Sequence, residues 1–111
     1  MNSISWGDFE KIDIRVATII EAQVFEQAKK PAYILKLDFG DLGILQSSAQ
    51  ITKRYTVDEL IGKQVVAVVN FPPKQIANFF SQCLVLGVVG ENKEVTLLTP
   101  DKSVNNGLKI A

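Results

Sequence analysis

The stretch Val65-Val66-Ala67-Val68-Val69-Asn70-Phe71-Pro72-Pro73-Lys74-Gln75 constrains the fold of this chain more than any other. A short apolar run without polar alternation fits a strand covered on both faces. The two prolines end it, because neither can donate to a sheet ladder, and each pushes the residue before it toward an extended conformation. The reading is a buried strand from Lys63 to Phe71 that delivers Asn70 and Phe71 to its exit, where loops carry binding groups.

The other elements follow from local patterns. Ser5 is an N-cap candidate for a short helix with acidic residues in its first turn, and Trp6 and Phe9 share one face of it, where they are expected to lid the core. From Asp13 to Val24 the pattern alternates, with Ile14, Val16, Ile20, Ala22 and Val24 on the face expected to be apolar. A strand this long bends or serves two sheets. Tyr33, Leu35, Leu37 and Phe39 alternate with Lys36 and Asp38 in a second strand, and Gly40–Gly43 is a hairpin loop. The third strand runs from Ile44 to Ile51, and its second half is rich in uncharged hydrogen-bonding residues. Thr56 and Glu59 have capping-box spacing, and Gly62 suits the end of a short helix. Lys74–Asn78 reads as a loop, Phe79–Val89 as a fifth strand, Glu94–Thr99 as a sixth, and the C-terminus as turns with a short edge strand.

These elements describe an all-β chain: an OB-fold five-stranded Greek-key barrel with a short N-terminal helix and a short helix between strands 3 and 4. An SH3-like barrel is the alternative, and the helix before strand 4 favours the OB order. At 111 residues the chain is expected to be a single domain, residues 1–111.

Composition matters most for what it removes. There is no histidine, which takes away the commonest general base and metal ligand together. Cys83 stands alone, so it builds neither an intrachain disulfide nor a thiolate zinc site, and inside a strand it reads as a small core residue. No Gly-rich phosphate loop is present, and Ser47-Ser48 has no neighbouring base. The expectation is a non-enzyme with no catalytic residues, no metal and no cofactor. The first residues carry no signal-peptide pattern and no window reaches the roughly 18 apolar residues of a span, so a cytoplasmic protein without membrane insertion is expected. Twelve basic against twelve acidic residues leave no net field for nucleic acid, although a local basic patch is compatible with that balance.

Two surfaces are candidates for binding. Tyr33, Lys36, Phe39, Gln46, Ser48 and Gln50 lie where OB-folds hold single-stranded nucleic acid, but Tyr33 and Phe39 share the face of Leu35 and Leu37 and are expected in the core. The second surface is the proline loop. Asn70, Phe71, Pro72, Pro73, Gln75 and Phe79, with Ser47, Ser48 and Gln50, combine apolar walls with uncharged amides and hydroxyls. That chemistry suits an extended polypeptide, whose backbone needs partners.

Asp8-Phe9-Glu10-Lys11-Ile12-Asp13-Ile14-Arg15-Val16-Ala17 resembles the opening of the tRNA-binding OB domains of methionyl-tRNA synthetases and related free-standing proteins. Gln46–Ile51 is similar to their third strand. Val68–Ile76, with Lys30-Pro31-Ala32-Tyr33 and Pro100-Asp101 near Asn106-Gly107, resembles one branch, the bacterial secretion-related chaperones. That resemblance implies a homodimer holding unfolded or precursor polypeptides and presenting them to the export machinery. The tRNA-binding cousins carry a strongly basic segment after strand 4, where this chain has Pro72-Pro73-Lys74-Gln75-Ile76-Ala77-Asn78. Lys29, Lys30, Lys53, Arg54 and Lys74 are the residues left for a weak tRNA contact. The apolar chain ends, Trp6-Phe9 and Val104, Leu108 and Ile110, either cover the barrel or bury against a second copy.

Overall fold

A computed structural model describes residues 1–111. The order is α1 (Trp6–Glu10), β1 (Ile14–Val24), β2 (Tyr33–Asp38), β3 (Ile44–Ala49), α2 (Val57–Leu60), β4 (Gln64–Val68), β5 (Lys74–Ile76), β6 (Phe79–Ser81), β7 (Leu84–Val85), β8 (Gly87–Val89) and β9 (Val95–Leu97). Five strands form one sheet in the order β3-β2-β1-β4-β7, all pairs antiparallel, curled into a nearly closed barrel. β1, β2 and β3 meander and β4 returns beside β1, which is the Greek-key order. The pairs β5–β6 and β8–β9 stand apart as two-stranded sheets.

The apolar run behaves as its composition dictates. Val65, Val66, Ala67 and Val68 are all buried, with Val65 and Ala67 in the main core cluster and Val66 and Val68 on the opposite face. The strand stops at Val68, short of the expected Phe71. Beyond it, Val69 donates to the Asp13 carbonyl, and Asn70 ties down the segment before β1.

β1 corrects the expected apolar face. Its deepest residues are Ala17 and Ile19, both fully buried, whereas Ile20 and Val24 are exposed. The register with β2 shifts between Ile19 and Glu21, leaving Ile20 without a partner opposite. One extra residue reverses the side-chain phase, so Ile19 and Ala22 stand across from Leu37 and Leu35 on one surface. The bulge also lets β1 pair β4 through Ile14–Thr18 and β2 through Thr18–Val24. The long strand therefore bends and serves two neighbours.

β2 alternates as read, with Tyr33, Leu35, Leu37 and Phe39 buried. Both helices carry their expected caps. The Ser5 hydroxyl accepts from the Asp8 N–H at 3.0 Å while the Asp8 carboxylate accepts from the Ser5 N–H at 3.1 Å. Thr56 accepts from the Glu59 N–H at 3.4 Å, and α2 sends its one buried residue, Leu60, into the core.

Two expectations fail after Pro73. The segment read as a loop is β5, paired with β6 around a two-residue turn in which Ala77 takes a left-handed φ of 54°. The single strand expected from Phe79 to Val89 is three pieces, because Phe80–Cys83 turn their hydrogen bonds toward β3 and β8 pairs with β9. The sixth strand is correspondingly short. At the C-terminus, Leu108 and Ile110 bond to β1 as a bridge around Arg15 and Lys109.

Trp6 does not lid the core. It is 72% exposed and stacks at a tilt on Phe9, ring centroids 5.6 Å apart. Ile4, Trp6, Phe9 and Ala111 line a shallow apolar surface made by both chain ends.

Candidate functional site

The five-stranded sheet has two edges, β3 and β7, and most of the β3 edge is sealed by side chains rather than by a ladder. The Gln46 N–H donates to Oε1 of Gln82 at 2.9 Å, its carbonyl accepts from the Gln82 N–H at 2.8 Å, and its amide donates to the Phe80 carbonyl at 3.0 Å. The Ser48 N–H donates to the Ser81 hydroxyl at 3.1 Å. Ser47, 1% exposed, donates to the Cys83 carbonyl at 2.8 Å. The uncharged polar residues of β3 are thus largely spent on closing the barrel. Each satisfies a backbone group that would be costly to strand at a half-buried seam.

The seam stops at Ser48. In β3 the even-numbered backbone groups point away from β2, as the bonds of Gln46 and Ser48 show. Gln50 is next in that two-residue series. It is exposed, lies past the last β2 pair at Ala49, and has no backbone hydrogen bond within the chain. Beside it a groove of about 750 Å³ opens between the end of β3, the β5–β6 hairpin and the β7–β8 segment. Ile51, Phe71, Pro72, Ile76, Leu84 and Val85 supply its apolar wall, with Ser48, Gln50, Ser81 and Gln82 as polar points.

Of the predicted residues, the groove gathers Ser48, Gln50, Phe71, Pro72 and Lys74. Ser47 lies beneath it, committed to the seam. Asn70 is a bracket: its Oδ1 accepts from the Asp13 N–H at 3.0 Å and its Nδ2 donates to the Lys11 carbonyl at 2.7 Å. Pro73 is exposed outside the lining. The hairpin register separates the rest, because Lys74 faces with Ser81 and Ile76 with Phe79, while Gln75 pairs with Phe80 on the other face. The Gln75 amide donates to the Ala77 carbonyl at 3.0 Å, bracing the turn. Phe79 meets Phe25 edge-on at 5.3 Å, which brings the loop after β1 against the hairpin.

The candidate cations come from three segments of the chain, the β1–β2 connection, the turn after β3, and β5. Lys29 and Lys30 are exposed in the β1–β2 connection, Arg54 is exposed after β3, and Lys53 donates to the Asn92 carbonyl of the β8–β9 hairpin. Tyr33 is buried with its hydroxyl on the Tyr55 carbonyl at 2.7 Å, and Lys36 pairs with Glu21 at 3.4 Å. Tyr33 is therefore not free to stack on a base, while Lys36 holds an exposed surface ion pair.

Cys83 closes the floor of the groove as a neutral group. Burial pushes its thiol up to about 12, with the Ser47 hydrogen bond as a smaller opposing effect. A thiol that stays protonated at neutral pH is a poor nucleophile.

Sequence reasoning missed the wall formed by Leu84–Leu86, Gly87, Val89 and Val95. The available signal was Gly87 inside an apolar run, which marks close backbone approach. A Cβ there would lie 2.9 Å from the Thr96 carbonyl oxygen.

Comparison with known proteins agrees with this architecture. Residues 14–109 match the family described as "Putative tRNA binding domain". The chain is similar to the chaperone CsaA from Bacillus anthracis, with 51% identity, a TM-score of 0.95, and 99% of this chain and 100% of that one covered. It is similar to the CsaA chaperone protein from Picrophilus torridus, with 57% identity, a TM-score of 0.92, and coverage of 98% and 100%. It is also 36% identical over 110 residues to a methionine–tRNA ligase from Thermococcus kodakarensis, covering 99% of this chain but only 14% of that enzyme. The chain thus corresponds to one small part of the curated relatives it matches. Its structural neighbours include the CsaA chaperones and a MetRS related protein from Pyrococcus horikoshii, with 25% identity, a TM-score of 0.89 and full coverage of both chains. On its matched span and the fold that carries it, the chain belongs to the tRNA binding domain family.

Proposed function

We propose that this chain is a non-catalytic binding module that holds unfolded or precursor polypeptides, secretory precursors among them, in extended form and without nucleotide hydrolysis. The observation that carries the reading is the open end of β3. Gln50 offers an unpaired backbone edge beside an apolar groove. A polypeptide strand can satisfy that edge and lay alternate side chains against the wall. The similarity to proteins named as chaperones supports the same reading.

The test is a titration of an unfolded secretory precursor and of tRNA against the chain at rising salt. For the precursor, saturable binding is expected that changes by less than about threefold between 50 and 200 mM salt, as an apolar groove requires. A tRNA site using five or more phosphate contacts would lose roughly a hundredfold or more over that range. The family description supports the tRNA alternative, so steep salt weakening for tRNA together with no binding of the precursor would overturn the proposal.

We further propose a homodimer built on the apolar end surface of Ile4, Trp6 and Phe9. Trp6 at 72% exposure and Ile4 at 70% are large apolar groups that water solvates poorly. Trp6→Ser is expected to halve the molar mass measured by light scattering at micromolar concentration. A wild-type monomer would exclude the arrangement.

A further inference from the structure

The groove has a second property that its apolar wall hides. Among its lining residues a single side chain carries charge, Lys74. The hairpin register puts Lys74 opposite Ser81, whose hydroxyl points inward to the Ser48 N–H. Lys74 therefore stands on the face of the hairpin that looks onto the β3 edge. It takes part in none of the chain's ion pairs, and no carboxylate lines the groove.

Resting on the polypeptide reading above, we infer that the groove selects extended, largely apolar segments carrying one acidic side chain, which pairs with Lys74 while the segment's backbone meets Gln50. Charge complementarity fixes the sign. A lone ammonium beside an apolar wall attracts one carboxylate and repels a basic segment, and the low-dielectric wall strengthens both effects relative to open water. It also fixes the number. A nucleic-acid strand brings one negative charge per nucleotide and needs several cations in register, whereas this groove supplies one. The occupant is therefore an internal Glu or Asp of an otherwise neutral strand.

The experiment is calorimetric titration of the full chain with ten-residue peptides rich in Val and Thr, capped at both ends, carrying Glu, Gln or Lys at one central position. A fourth peptide has the Gln sequence with a free C-terminal carboxylate. Wild-type chain is expected to bind the Glu peptide roughly threefold to fivefold tighter than the Gln peptide, and the Lys peptide more weakly than either. Lys74→Gln should make Glu and Gln equal, and Lys74→Glu should reverse the order of Glu and Lys. Equal binding of the Glu, Gln and Lys peptides to the wild type, with binding intact, would overturn the selectivity while leaving the polypeptide reading standing. The same holds if the preference survives in Lys74→Glu, or if only the free-carboxylate peptide gains. Failure of every peptide, the neutral one included, would overturn the polypeptide reading and the selectivity with it.

Discussion

Phe71→Ala is expected to weaken binding of an unfolded polypeptide by roughly fivefold to tenfold and to leave the thermal midpoint nearly unchanged. The two halves have different physical origins. Phe71 is 55% exposed in the free chain, so it contributes little to the core, and exposed substitutions of this kind alter stability by about 0.5 kcal/mol or less. Yet it lines the groove and is held ready there. Pro72 restricts its backbone to an extended conformation. On its other side Val69 donates to the Asp13 carbonyl, and Asn70 bonds to both Lys11 and Asp13. An aromatic ring held in place before its partner arrives loses little entropy on binding, and covering the half of it that is exposed contributes about 1–1.5 kcal/mol. Isothermal titration with the same precursor, paired with a thermal melt, separates the two effects. Unchanged affinity would remove Phe71 from the site.

The largest effect on stability is expected at Gly107. Gly107→Ala should destabilise the fold by about 3 kcal/mol or more, which for a domain of this size lowers the midpoint by roughly 10–20 °C. Gly107 has a φ of +90°, a region that costs an L-residue about 1–2 kcal/mol. A Cβ there would also collide with the carbonyl oxygen of Phe39, a residue with no exposed surface. Neither partner can yield cheaply. The Gly107 N–H donates to the Val16 carbonyl at 2.7 Å, and its own carbonyl accepts from Nη1 of Arg15 at 3.1 Å. Next to it, Oδ1 of Asn106 accepts from the Thr18 hydroxyl at 2.8 Å and from the Gln64 amide at 3.1 Å. Gly43 is an internal control, with a φ of +88° and nothing within 4 Å of an added Cβ. Gly43→Ala should show the backbone cost alone in a urea titration. Equal losses at the two positions would show that the Phe39 contact relaxes freely.

The groove and the fold differ in how far single-chain patterns reach. The alternation of Tyr33, Leu35, Leu37 and Phe39, the caps at Ser5 and Thr56, and the valine run of β4 are decided by neighbours within a few residues. They were legible for that reason. The phase of β1 was not, because nothing local marks Ile20 as the bulged residue. Its place follows from the registers of β2 and β4, which must be met at once. The lid role read for Trp6 failed similarly, since spacing puts Trp6 and Phe9 on one face without saying what that face meets.

The site divides along the same line. The chain's own sequence determined that β4 would be buried and would end in a proline-locked loop presenting Phe71 and Pro72, and that histidine chemistry was excluded. It also determined that uncharged polar residues would crowd the end of strand 3, because composition and short-range sterics decide those matters. Only the tertiary structure decided what those polar residues do. Gln46 and Ser47 close the barrel against Gln82 and Cys83, Asn70 brackets the start of β1, and Gln50 is left unpaired beside the groove. A hydrogen bond between residues 36 positions apart carries no local signature. Whether a polar side chain is spent on the fold or left for a partner is settled only when the barrel closes.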